Sequence, residues 1–252
     1  MHIYLSPHND DVCFSIGGLA SRTGGELLSA FTVSAYVSAR LELPMDRDTR
    51  IAEVTDLRRR EDLLFAQSAG LTRHDLGLSE SAIFGVNPFD HTGLKEEVDY
   101  LAVTLVPYLL DLLSRGGRGQ RSALYCPMGI GANRDHLAML LVTRGAFRKL
   151  APLCDVYLYE DLYYARNEKA RERGLEVASR VFAGAELSPL VITLGRQAAD
   201  RKLDWIGLYA SQHAKPPLLV DFTPASGLAT GPHEVVWRVS RTSSRQPWSG
   251  GR

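Results

Sequence analysis

A short apolar run, His2–Ser6, breaks into the polar hexapeptide Ser6-Pro7-His8-Asn9-Asp10-Asp11 and resumes as an apolar stretch closing on Gly17-Gly18 and Gly24-Gly25. That is the order strand, loop, helix. The order recurs. Residues 122–126 form a compact apolar strand, 129–136 are polar and Gly-rich, and a helix carrying Leu137, Leu140, Leu141 and Phe147 starts near Asn133. Residues 27–37 read as a second buried strand, 46–70 as a long helix rich in Arg, Glu and Leu, and 155–159 as a further strand. Leu94, Val98, Leu101, Leu105 and Leu112 mark an amphipathic helix over 92–114, kinked at Pro107 and stopped by Gly116-Gly117. Strands that alternate with helices in this way predict an α/β, Rossmann-like fold, a mostly parallel sheet with helices on both faces. Beyond Gln197 the pattern loosens to a helix over 200–212 and strands over 218–222 and 234–239. A single domain over 1–240 is expected, with a disordered tail over 241–252.

Charge narrows the partners. Lys and Arg balance Asp and Glu at 29 each, which leaves no basic stripe for a phosphate backbone or an anionic membrane surface. No run reaches the ~20 apolar residues of a membrane span, and the first residues carry no signal-peptide pattern. Cys13, Cys126 and Cys154 are odd in number and widely spaced, as suits free thiols in a reducing cytoplasm. The expected partner is a small molecule.

In an open parallel sheet, ligands gather beyond the carboxyl ends of the strands, where both polar loops fall. The first loop offers an imidazole and two carboxylates, enough for two ligands to a borderline cation and one free carboxylate. The second, Asn133-Arg134-Asp135-His136, adds a third ligand, and His8, Asp11 and His136 meet the count of a catalytic zinc that keeps one position open. Helix capping is the competing reading: Asp10, Asp11 or Asn133 as N-caps, Asp135 as a first-turn acid, and the two histidines as ordinary turn and surface residues.

Together the two clusters resemble the PIG-L/LmbE family of zinc-dependent N-deacetylases, whose signatures are His-Pro-Asp-Asp after the first strand and His-x-Asp-His at a later helix start. Arg58-Arg59-Arg60-Glu61, Tyr159-Glu160-Asp161 with Tyr164-Ala165, and Lys202 followed by Tyr209-Ala210-Ser211-Gln212 extend the resemblance over most of the chain. It implies zinc on His8, Asp11 and His136, catalysis by Asp10, Asn133 and Asp135 with Asp10 as general base, and substrate contacts from Arg58, Glu160 and Tyr164. The implied reaction is removal of an N-acetyl group from an amino sugar or an amino-sugar-containing metabolite. Two positions depart from the signatures. Asn9 replaces the Pro, and Asn133 replaces a His thought to stabilise the oxyanion or protonate the leaving amine; Asn donates a hydrogen bond but does not deliver a proton as imidazolium does. Asp10 is therefore expected to serve as base and then as acid. The same departure supports the alternative of a sugar-binding or regulatory module without turnover. A nucleotide-dependent Rossmann enzyme lacks support, because no Gly-x-Gly-x-x-Gly loop follows the first strand.

For Arg58 and Glu61, a solvated ion pair on one helix face competes with a role in the cleft wall. Trp205 and Tyr209 are expected to pack their helix, and the lone histidines His74, His91, His213 and His233 to do nothing special, with a substrate contact or a proton donor in place of the missing His as the competing readings for His213 and His233.

Overall fold

The computed structural model describes residues 1–38, 43, 46–116, 121–213 and 215–241; Gly117 and the tail from 242 onward lie outside the described residues. Seven strands form one sheet in the order β3-β2-β1-β4-β5-β7-β6. They are β1 (His2–Ser6), β2 (Gly25–Val33), β3 (Leu71–Ser79), β4 (Ser122–Pro127), β5 (Cys154–Tyr159), β6 (Ala185–Thr193) and β7 (His233–Arg241). The first five run parallel, and β7 is antiparallel to both β5 and β6. The main helices are α1 (Asp11–Thr23), α2 (Arg47–Ala69), α3 (Leu94–Ser114), α4 (Arg134–Leu150), α5 (Glu168–Val181) and α6 (Arg196–Gly207).

Period-two alternation in the central strands sorts the core into two layers. Ile3, Leu5, Leu124, Cys126, Val156 and Leu158 face α3, α4 and the end of α5, where Leu101, Leu105, Leu140 and Phe182 are buried. Tyr4, Leu27, Ala123, Tyr125 and Tyr159 face α1, α2 and α6, against Phe65, Trp205 and Ile206. The mostly parallel α/β sandwich expected from the sequence is the one observed.

Several boundaries differ, each for a local reason. α1 runs past the first glycine pair, Gly17-Gly18, across non-helical backbone at Ile16 (φ −134°, ψ 28°), and ends at Thr23 before the second pair, where Gly24 is its C-cap. The strand expected over 27–37 ends at Val33, and α6 ends at Gly207, with a short 3-10 helix, Ala210–Gln212, completing the segment. Residues 218–222 form no strand: Leu218 and Val220 are exposed, only Phe222 is buried, and Leu219–Phe222 is a 3-10 turn. Sequence reading also missed β3 and β6, the two edge strands. β3 buries only Leu71 and Leu78 and carries Arg73, His74 and Asp75 in polar contacts, while β6 contains Pro189, which an edge tolerates. α5, also missed, buries only Arg171, Gly174 and Ala178.

Candidate metal centre and active site

The loops after β1, β4 and β5 meet at the carboxyl edge of the sheet, around a cavity of about 730 Å³ lined by His8, Asp10, Asp11, Arg58, Asn133, Asp135, His136 and Tyr164 among others. With one donor atom from each, His8, Asp11 and His136 lie within 4.8 Å of one another. Their closest approaches are His8 Nδ1 to Asp11 Oδ2 at 3.2 Å, His136 Nε2 to Asp11 Oδ1 at 3.3 Å, and His136 Nε2 to His8 Nδ1 at 3.3 Å. The two Asp11 contacts are made by different oxygens; ligands about 2.0–2.1 Å from a tetrahedral zinc stand roughly 3.3–3.5 Å apart, so the three side chains converge at a spacing suited to a divalent cation.

The far nitrogen of each imidazole supplies a second test of fit. His8 Nε2 lies 2.9 Å from Asp135 Oδ2, and His136 Nδ1 lies 2.7 Å from Asp161 Oδ1. Carboxylates behind ligating imidazoles fix the tautomer and turn the other nitrogen toward the ion. Asp161 also accepts from the backbone N–H of Ile130 at 2.8 Å, which ties the β5 end to the loop before α4. Charge agrees: Asp10, Asp11, Glu80 and Asp135 are buried in the cavity wall with Asp161 behind them, and Arg58 is the one guanidinium among the described residues that line the cavity. Burial disfavours the imidazolium of His8, yet the Asp11 and Asp135 carboxylates override it and push His8 up to about 10. Protons thus compensate the same acids that a cation would. Replacing Asp161 by Asn is expected to weaken metal affinity by about 10–100-fold, because His136 loses the partner that sets its tautomer. Titration against a chromophoric chelator reads this directly, and an unchanged affinity would deny Asp161 that role.

Capping explains less than the sequence allowed. Asp10 occupies the N-cap position of α1 but its side chain makes no capping bond, and Asp11 Oδ2 accepts from the His8 backbone N–H at 2.7 Å while facing both imidazoles. Asn133 does cap α4, its Oδ1 accepting from Asp135 N at 2.9 Å, and it also lines the cavity. Asp10 Oδ1 instead meets Arg58 Nη2 at 3.4 Å. Burial raises the Asp10 pKa, Arg58 opposes it, and Asp11 adds to it. Arg58 is 4% exposed and its Nη1 donates to Ser34 Oγ at 2.8 Å, so it belongs to the cleft wall and not to a solvated pair. Glu61 goes elsewhere, accepting from Ser211 N at 2.8 Å and Ser211 Oγ at 2.6 Å.

Tyr164 packs edge-on against the His136 ring at 6.1 Å. It sits so close to the preceding loop that a Cβ on Gly131 (φ +90°) would fall 2.3 Å from its ring, which is why a glycine is needed there. Burial pushes the Tyr164 hydroxyl up to about 12, leaving it protonated at neutral pH. Glu160 must be corrected: it is turned away from the cavity, paired with Arg171 at 2.7 and 2.8 Å and accepting from Trp237 Nε1 at 2.9 Å. Side chains alternate faces past the strand end, so Asp161 reaches His136 and its neighbour cannot. Asn9 is buried, and its Oδ1 accepts from Arg73 Nη2 at 3.1 Å, so the loop is held by a hydrogen bond where the family signature has a proline ring.

Sequence reading did not single out Glu80, which sits at the end of the missed strand β3 and lines the cavity, and it set aside His213, which also lines it. The other lone histidines are satisfied elsewhere: His74 by Glu26 and Tyr108, His91 by the Ala132 carbonyl, His233 by Ser226 and Gly231. Trp205 and Tyr209 pack against Phe65 and Phe14, as expected of core aromatics.

No family model matches the chain. A curated relative, 2'-N-acetylparomamine deacetylase of Streptomyces fradiae, is 29% identical over 271 residues, covering 96% of this chain and 91% of its own. Among solved structures, a deacetylase of teicoplanin biosynthesis in complex with teicoplanin superposes with a TM-score of 0.68 at 20% identity, covering 96% of this chain and 98% of its own. The chain shares the fold of that deacetylase. The zinc-inhibited form of the teicoplanin deacetylase agrees, with a TM-score of 0.66 at 19% identity over 96% of this chain and 99% of that one.

Proposed function

We propose that this protein is a zinc-dependent amidohydrolase that removes an N-acetyl group from an amino sugar or an amino-sugar-containing metabolite. The observation that carries the reading is the three-sided donor set of His8, Asp11 and His136, each imidazole backed by a carboxylate, with Asp10 left outside the set in the same cavity. The relatives named above are deacetylases, one of 2'-N-acetylparomamine, which disfavours the sugar-binding module without turnover. Zinc suits two imidazoles and one carboxylate. Three buried free thiols and the absence, among the described residues, of any helix long and apolar enough to cross a membrane fit a cytoplasmic enzyme.

A cation at this site supplies Lewis acidity to the amide carbonyl and makes water nucleophilic near neutral pH. The remaining steps belong to the protein's own side chains. Asp10 takes a proton from the attacking water at a carboxylate oxygen and returns it to the amide nitrogen as the C–N bond breaks. Arg58 keeps that carboxylate oriented. Asn133, whose Oδ1 is committed to the helix cap, retains an N–H for the developing oxyanion. Asp135 and Asp161 act as positioning residues behind His8 and His136, and Tyr164 forms part of the pocket wall beside them.

The purified, zinc-loaded protein is expected to release free amine from at least one N-acetylated amino sugar in a panel that includes 2'-N-acetylparomamine, and to stop when the metal is chelated. Sugar binding without amine release across that panel would transfer the assignment to the binding module.

A further inference from the structure

We propose that His213 is a substrate-recognition residue, its Nε2 forming a hydrogen bond to a hydroxyl or amino group of the sugar that carries the scissile N-acetyl group. The inference deepens the deacetylase reading and rests on it for the nature of the ligand. His213 follows the 3-10 helix Ala210–Gln212 and lines the same cavity as His8, Asp10, Asp11 and His136. Its Nε2 is nearly enclosed, on a residue that is itself only partly buried, and has no hydrogen-bond partner among the described residues. A shut-in ring nitrogen without a partner is costly, and such groups in native structures call for an explanation.

The ring is also held where a recognition group would need to be. It lies 5.3 Å from Phe14 and 5.6 Å from Phe222, centroid to centroid. Phe14 stands on the first turns of α1, the helix that begins at Asp11, so the imidazole is fixed relative to the metal ligands and to Asp10. The segment before it is anchored as well: Glu61 holds both the backbone N–H and the hydroxyl of Ser211, and the Gln212 carbonyl accepts from Ser38 Oγ. Burial lowers the affinity of the ring for a second proton, with Asp10 and Asp221 pulling weakly the other way. A neutral imidazole carries one donor and one acceptor, which matches an uncharged sugar hydroxyl or amine. The geometry therefore sets the metal and Asp10 to act on the acetamide while His213 reads the ring beside it.

The test compares wild type with His213→Phe, which keeps an aromatic ring between Phe14 and Phe222, and His213→Gln, whose amide nitrogen comes close to the Nε2 position. Binding of 2'-N-acetylparomamine and N-acetylglucosamine to the zinc-loaded proteins is measured by calorimetry, beside kcat and KM. Loss of one hydrogen bond to substrate predicts Kd and KM about tenfold higher in His213→Phe, kcat within about twofold, and recovery to within about threefold in His213→Gln. Wild-type Kd and KM in His213→Phe would overturn the proposal, as would a fall in kcat alone, which would make His213 a proton-transfer group. Sugar binding that weakens in His213→Phe in a protein without turnover would overturn the deacetylase reading and leave this one standing.

Discussion

Replacing Asp10 by Asn is expected to lower kcat by about 10²–10⁴-fold, the usual contribution of a positioned general base, with zinc content unchanged. The separation is possible because of where Asp10 sits. It is adjacent to a ligand in sequence but outside the donor set, and its side chain makes no capping bond to α1, so an amide in its place removes neither a metal ligand nor a helix cap. Arg58 keeps its contacts with Ser34 and Glu80, so the guanidinium is not left unpaired. What the amide cannot do is take a proton from water and return it to the leaving nitrogen, the double role left to Asp10 because position 133 holds Asn and not an imidazole. Amine release and metal analysis on the same preparation decide the matter. Wild-type turnover with full zinc would remove Asp10 from the chemistry, whereas lost turnover accompanied by lost zinc would show that Asp10 helps to hold the metal.

The site was legible to the extent that its chemistry lies in short contiguous segments. His8, Asp10, Asp11, Asn133, Asp135 and His136 all fall where a central strand gives way to a helix, and topology brings such points together. The central strands were readable for a related reason: burial on both faces makes them dense apolar runs. Edge strands lack that signal, and with β3 unrecognised the Glu80 at its end had no reason to be placed beside Arg58. Glu160 and Asp161 show another limit. Both are acidic and both follow β5, but one residue of register decides which reaches His136 and which pairs with Arg171. His213 was open to reading as a substrate contact and was set aside, because what marks it out, the lack of a partner for Nε2 among the described residues, is visible only in three dimensions.

Lys202→Met is expected to destabilise the protein by about 3–5 kcal/mol, the usual cost of removing one member of a buried ion pair. Lys202 and Glu234 are both fully buried, with Nζ 2.8 Å from Oε1. Their surroundings explain why charge is tolerated there. The break in α1 at Ile16 frees backbone groups on both sides: Glu234 accepts from Gly18 N at 2.9 Å and Leu19 N at 2.8 Å, and Lys202 donates to the Ser15 carbonyl at 3.1 Å. The carboxylate thus caps the second half of a broken helix, and the ammonium neutralises the carboxylate. Methionine would fill the volume but leave Glu234 charged with only two N–H partners, and would orphan the Ser15 carbonyl in the stretch of α1 that begins with Asp11. The companion change Glu234→Gln, made in the Lys202→Met background, removes the stranded charge and is expected to recover only part of the loss, because Gly18 N and Leu19 N bond to different oxygens of Glu234 and the single amide oxygen keeps just one of those bonds. Urea unfolding of wild type and the two variants measures the pair. A loss below about 1 kcal/mol in Lys202→Met would place the interaction among ordinary surface contacts and disconnect it from the broken helix.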